Sequence, residues 1–70
     1  MNLMTLVYVD ERMFSNAIRE FGDWEHINGD YKAWLWKDEL VDLLRVICKE
    51  HPYPGINFDN KGAYICLNSQ

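Results

Sequence analysis

The clearest pattern along the chain is a helical stripe between Asp38 and His51. At ~100° per residue, Leu40, Val41, Leu43, Leu44, Ile47 and Cys48 fall on one arc, and Glu39, Asp42, Arg45, Lys49 and Glu50 fall on the opposite one. The segment predicts an amphipathic helix with one buried face. Asp38 is placed to accept hydrogen bonds from the free amides of the first turn, Lys49 and His51 stand at the carbonyl end of the helix dipole, and Pro52 cannot extend the ladder. Val46 is the exception, an apolar residue in the polar arc, which marks it as exposed and as a weak sign of a contact surface.

Ahead of this helix, Leu3 to Val9 is a run of β-favouring residues interrupted only by Thr5, which predicts a central strand that is apolar on both faces. Asp10 offers an N-cap, and Phe14, Ala17, Ile18 and Phe21 follow at the i, i+3, i+4, i+7 spacing. They predict a helix of three turns stopped by a left-handed Gly22. Its opposite side, Glu11, Arg12, Ser15, Asn16, Arg19 and Glu20, is polar, so the helix lies on the outside of a sheet.

Two strands are expected next, Trp24 to Asn28 and Tyr31 to Trp36, joined through Gly29-Asp30 as a type II′ hairpin. The competing assignment extends the second helix back to Asp30. It places Tyr31 and Leu35 on the polar arc and Lys37 on the apolar one, so strands are preferred. After the helix, Pro52-Tyr53-Pro54-Gly55 is a rigid connection. Ile56 to Phe58 and Ala63 to Leu67 then form a hairpin around Asp59-Asn60-Lys61-Gly62, with Gly62 at positive φ.

The predicted order is β-α-β-β-α-β-β in one domain over residues 1–70, without internal repeat or linker. The fold class is α+β: a mainly antiparallel sheet with two helices packed on one face, a split β-α-β or ferredoxin-like arrangement with an added strand. An open sheet with helices at one end is the alternative.

A seventy-residue chain buries only ~60% of the surface its unfolded form exposes, so a homodimer is a natural way to add stability. Cys48 and Cys66 are too few for a disulfide framework, and their apolar surroundings mark them as structural thiols of a reducing, cytoplasmic compartment. No charged-then-apolar leader precedes the first strand, and the longest apolar run falls far short of the ~20 residues that span a bilayer. A soluble protein with no membrane partner is expected.

Charge changes the picture most. The net charge is −4, and Glu20, Asp23, Glu25 and Asp30 lie in a stretch with no Lys or Arg, while the rest of the chain balances. Such an excess repels phosphate backbones and steers basic partners, which argues against direct nucleic-acid binding. The aromatic residues Phe21, Trp24, Tyr31, Trp34 and Trp36 lie in and around the same stretch. Aromatic anchors among charges are the composition of binding hot spots, so Glu20, Asp23, Trp24, Glu25, Asp30, Trp34 and Trp36 are the candidate partner-binding residues.

Catalytic chemistry finds little support. Cys48 and His51 stand at i, i+3, and Cys66 with His26 would complete a Cys₂His₂ set, but no second close pair accompanies them and no metal is expected. Ser15 and Ser69 lack a base and an orienting partner. The acid pairs Asp10 with Glu11 and Asp38 with Glu39 sit at helix starts, where the dipole accounts for them. Gly22, Gly29, Gly55 and Gly62 each stand alone at a turn, so no phosphate loop is present. No cofactor and no enzymatic activity are expected.

Three functions remain. The favoured one is a small acidic interaction module, an inhibitor or adaptor that docks on a basic surface of a larger protein and imitates the charge of nucleic acid, of a size that suits a phage or mobile-element product. A homodimeric structural or regulatory domain is second. A small enzyme or ligand binder with its site at a dimer interface is third.

Overall fold

The apolar run near the start of the chain becomes β1 (Met4–Asp10), the central strand of a five-stranded mixed sheet of order β2-β3-β1-β5-β4. The computed structural model describes residues 3–67. The elements follow as α1 (Asn16–Arg19), β2 (Glu25–Ile27), β3 (Asp30–Trp36), α2 (Lys37–Glu50), β4 (Gly55–Phe58) and β5 (Ala63–Cys66). The fold is α+β in the expected order. β1 pairs antiparallel with β3 from Met4 opposite Trp36 to Asp10 opposite Asp30, and parallel with β5 through Val7 opposite Ala63. β2–β3 and β4–β5 are antiparallel hairpins.

Side-chain alternation divides the sheet into two faces. Val7, Val9, Ala33, Leu35, Ala63 and Ile65 point to one face and are buried with Met13 and Ile18 from the α1 region and Leu40, Leu43 and Ile47 of α2. Both helices therefore lie on this face. The opposite face carries Met4, Leu6, Tyr8, Lys32, Trp34, Trp36 and Tyr64, by their register with one another.

Four local expectations are corrected. The first helix is a single turn capped by Ser15, whose hydroxyl accepts from the Ile18 amide at 3.3 Å. Asp10 caps locally instead, accepting from the Arg12 amide at 2.9 Å, and this diverts the chain into turns where Met13 is buried. Ala17 is consequently exposed, and Glu20 closes the helix in right-handed conformation. Gly22 adopts φ 157° instead of a left-handed helical stop, and a Cβ there would stand 2.8 Å from Leu35 Cδ2.

The second correction is the first hairpin. Its two-residue loop is Asn28-Gly29, with φ of 47° and 87°, the type I′ pattern that suits the twist of paired strands. Gly29-Asp30 is not the loop, because Asp30 already pairs with Ile27. Asn28→Ala is expected to lower stability by about 1 kcal/mol, since a Cβ-bearing residue without a local hydrogen-bonding side chain disfavours positive φ. Denaturant midpoints of the two proteins check it.

Third, α2 is rotated from its expected phase. Leu40, Leu43 and Ile47 are buried, but Val41 and Cys48 are exposed, and Val46 is half-buried against the core. The flank carrying Val46 and Glu50 faces α1, where the Ser15 hydroxyl donates to Glu50 Oε1 at 2.9 Å. Fourth, α2 begins one residue earlier than Asp38. The Trp36 amide donates to Glu39 Oε1 at 2.8 Å, and the Asp38 carboxylate accepts from the neighbouring Glu39 amide.

Candidate interaction surface

The aromatic residues of the acidic stretch divide between the two faces of the sheet. Tyr31 is on the helix side, stacked between Phe14 at 3.7 Å and His26 at 4.5 Å between ring centroids. Trp24 joins the same cluster, edge-on to Phe14 at 5.5 Å, and its Nε1 donates to the Ile18 carbonyl at 2.9 Å. His26 Nε2 lies 2.6 Å from Glu11 Oε1, which fastens the β2 edge to the turn after β1. Trp24 and Phe21 are thus half-buried against the core.

Trp34 and Trp36 take the opposite side. Trp34 is 57% exposed and Trp36 42%, next to Leu6 and Met4 on β1, and among the described residues no helix lies on this open face. Tyr8 and Tyr64 continue the surface as a parallel stack 4.8 Å apart. Loss of surrounding water, then the nearby charges of Asp59 and Tyr8, push the Tyr64 phenol above its ordinary pKa. Two strong apolar anchors, a tyrosine pair and the thioether of Met4 therefore form one aromatic-rich surface.

The acids frame one end of it. Register places Glu25 beside Lys32, with 3.7 Å between carboxylate and ammonium, and Asp30 beside Asp10. Arg12 donates to both carboxylate oxygens of Asp10, with a shortest distance of 2.6 Å, and these hydrogen bonds hold that carboxyl below the usual acid range. Glu20 and Asp23 are exposed in the α1–β2 connection, off the sheet face. Of the candidate residues, the structure therefore brings Glu25, Asp30, Trp34 and Trp36 onto one face, leaves Glu20 and Asp23 outside it, and gives Trp24 a place in the packed layer. Met4, Leu6, Tyr8 and Tyr64 were missed as members of this surface. Alternation in β1 and β5 could have grouped them once the neighbour of each strand was known.

The cysteines also separate: Cys48 is exposed on α2, contrary to its expected core position, and Cys66 is half-buried at the end of β5. Among the described residues no group of three or more His, Cys, Asp or Glu is placed to hold a metal ion, and no helix is long and apolar enough to cross a membrane. Ser69 lies outside the described residues. Comparison of the chain with protein-family models, curated proteins and solved structures finds no match in any of the three.

Proposed function

We propose that the protein is a small, non-enzymatic interaction module, an inhibitor or adaptor of a reducing cytoplasm, that docks its open sheet face on a basic surface of a larger protein. The observation that carries this reading is the exposure of Trp34 and Trp36 side by side on a face that the protein's own helices leave uncovered. Exposed aromatic anchors on a rigid strand lose little conformational freedom on binding and exclude water over a large area. Glu25 and Asp30 supply carboxylates at the border, and the net charge of −4 steers a basic partner during approach.

The test begins by capturing partners from cell extract and identifying them by mass spectrometry, and it is decided with the purified partner. Trp34→Ala is expected to speed dissociation by about tenfold or more, the effect of losing a buried anchor. Paired reversal of Glu25 and Asp30 to Lys is expected mainly to slow association, with the difference shrinking as salt rises. If both variants fold and bind with unchanged kinetics at low salt, the open face is not the docking surface.

A further inference from the structure

Between Trp34 and the turn that joins β4 to β5, the open face sinks into a cleft of about 340 Å³ lined by Met4, Leu6, Trp34, Asp59, Lys61 and Gly62. Strand order explains it. Leu6 stands between Trp34, its partner in β3, and Gly62, whose missing side chain lets the turn lie against the Leu6 carbonyl. Neighbouring strands are ~4.8 Å apart, so the strand that carries the indole and the turn are two such spacings apart, with the Leu6 and Met4 side chains between them as an apolar floor. A planar group has room to lie against the ring. On the other side, Asp59 Oδ1 accepts from the Lys61 and Gly62 amides at 2.7 and 3.0 Å, which fixes the exposed carboxylate and leaves its second oxygen without a hydrogen bond among the described residues. No cation of the described residues is within ion-pair distance of it.

We infer, on the premise that the open face docks a basic partner as proposed above, that this cleft receives an arginine side chain of that partner, its guanidinium flat on the Trp34 indole and its edge toward the second Asp59 oxygen. Each part of the lining matches a part of that side chain. The aliphatic stem lies on Leu6 and Met4, the planar cation meets the negative face of tryptophan, the ring that attracts cations best, and a carboxylate already held by two amides accepts N–H donors without first losing side-chain freedom. Lysine fits less well. Its ammonium has no planar face to stack and holds its water more tightly. Charge on the face also favours a cation, because Glu25 pairs with Lys32 and Asp10 with Arg12, which leaves Asp30 and Asp59 opposed by Lys61 alone. Lys61 is exposed on a flexible stem and opposes the guest, so its removal gives a test of opposite sign.

Titration of the full chain with a capped Gly-Arg-Gly peptide, followed by NMR of the backbone and indole N–H groups, tests the cleft. The Trp34 indole and Gly62 amide signals are expected to move together, with binding about fivefold tighter than for the same peptide carrying citrulline, which keeps the shape of arginine and loses its charge. The lysine peptide should bind more weakly than the arginine one. Asp59→Asn keeps an oxygen for the two turn amides and should weaken the arginine peptide by about fivefold, whereas Lys61→Ala should strengthen it. Circular dichroism verifies folding. With the purified partner, Asp59→Asn should speed dissociation by about the same factor. Equal binding of the arginine and citrulline peptides, a preference for lysine, or shifts confined to other parts of the chain overturns the inference. A partner released faster by Trp34→Ala and unaffected by Asp59→Asn leaves the docking face standing and overturns the arginine cleft alone, while a partner indifferent to both and to reversal of Glu25 and Asp30 overturns the two together.

Discussion

Replacing Gly62 with alanine is expected to destabilise the protein by about 3 kcal/mol or more, because the new Cβ collides with the carbonyl oxygen of Leu6 and stands 2.9 Å from its carbonyl carbon. Backbone cannot step aside as a long side chain can. Leu6 belongs to β1, and Gly62 leads directly into β5, so relief requires the parallel β1–β5 pair to separate at Val7 and Ala63. The turn resists as well: Asp59 Oδ1 accepts from the Lys61 and Gly62 amides at 2.7 and 3.0 Å, and the Asp59 amide donates to the Gly62 carbonyl. For a domain of this size the loss corresponds to a fall in Tm of about 15 °C. A thermal melt in which the alanine variant stays within a few degrees of the parent would show that the close approach is not needed.

Trp24 and Trp34, ten positions apart, should respond in opposite ways to truncation. Trp24→Ala removes a hydrogen bond to the Ile18 carbonyl and an edge contact with Phe14, leaving a gap between α1 and β2, and is expected to cost about 2–3 kcal/mol of stability. Trp34→Ala removes a side chain that mostly faces water, and should cost less than about 1 kcal/mol, the difference in strand preference. Urea titrations of both variants give the comparison directly. Equal losses would place Trp34 in a packed environment and remove the basis for an exposed anchor.

Much of the architecture was legible in the sequence because it is written in period: alternation in β3 and 3.6-residue spacing in α2 identify their elements without knowledge of neighbours. The errors arise where neighbours decide. The stripe of α2 includes Val41 and Cys48 on one flank, yet α1 docks against the other, so Val46 is half-buried and the first flank is left open. Nothing local specifies which side α1 chooses. The shortened α1 has a local cause, since Asp10 satisfies the Arg12 amide through its side chain and competes with helix formation there. The Asn28-Gly29 turn was present as a dipeptide signal, and the adjacent Gly29-Asp30 drew the assignment away from it. For the candidate surface, sequence grouped residues by proximity along the chain. The sheet groups them by parity and strand order, which is why Trp24 parts from Trp34 and why Tyr8 and Tyr64 join it.

The parallel pairing of β1 with β5 sets an order on the folding reaction. The β2–β3 hairpin and α2 are made of contacts close in sequence, and each can begin to form as a local event. β5 must instead dock along β1, bringing its hairpin partner β4 with it, and its register joins Val7 to Ala63 across most of the chain. The entropy of closing that loop is lost before the contacts of Ala63 and Ile65 with the core are gained. Until it happens, β1 exposes one unsatisfied edge along Val7 to Val9 and the hairpin partner of β4 is unanchored. The completed sheet is therefore a late and cooperative event, and the time spent before it is the interval in which the chain is most open to pairing with the wrong strand.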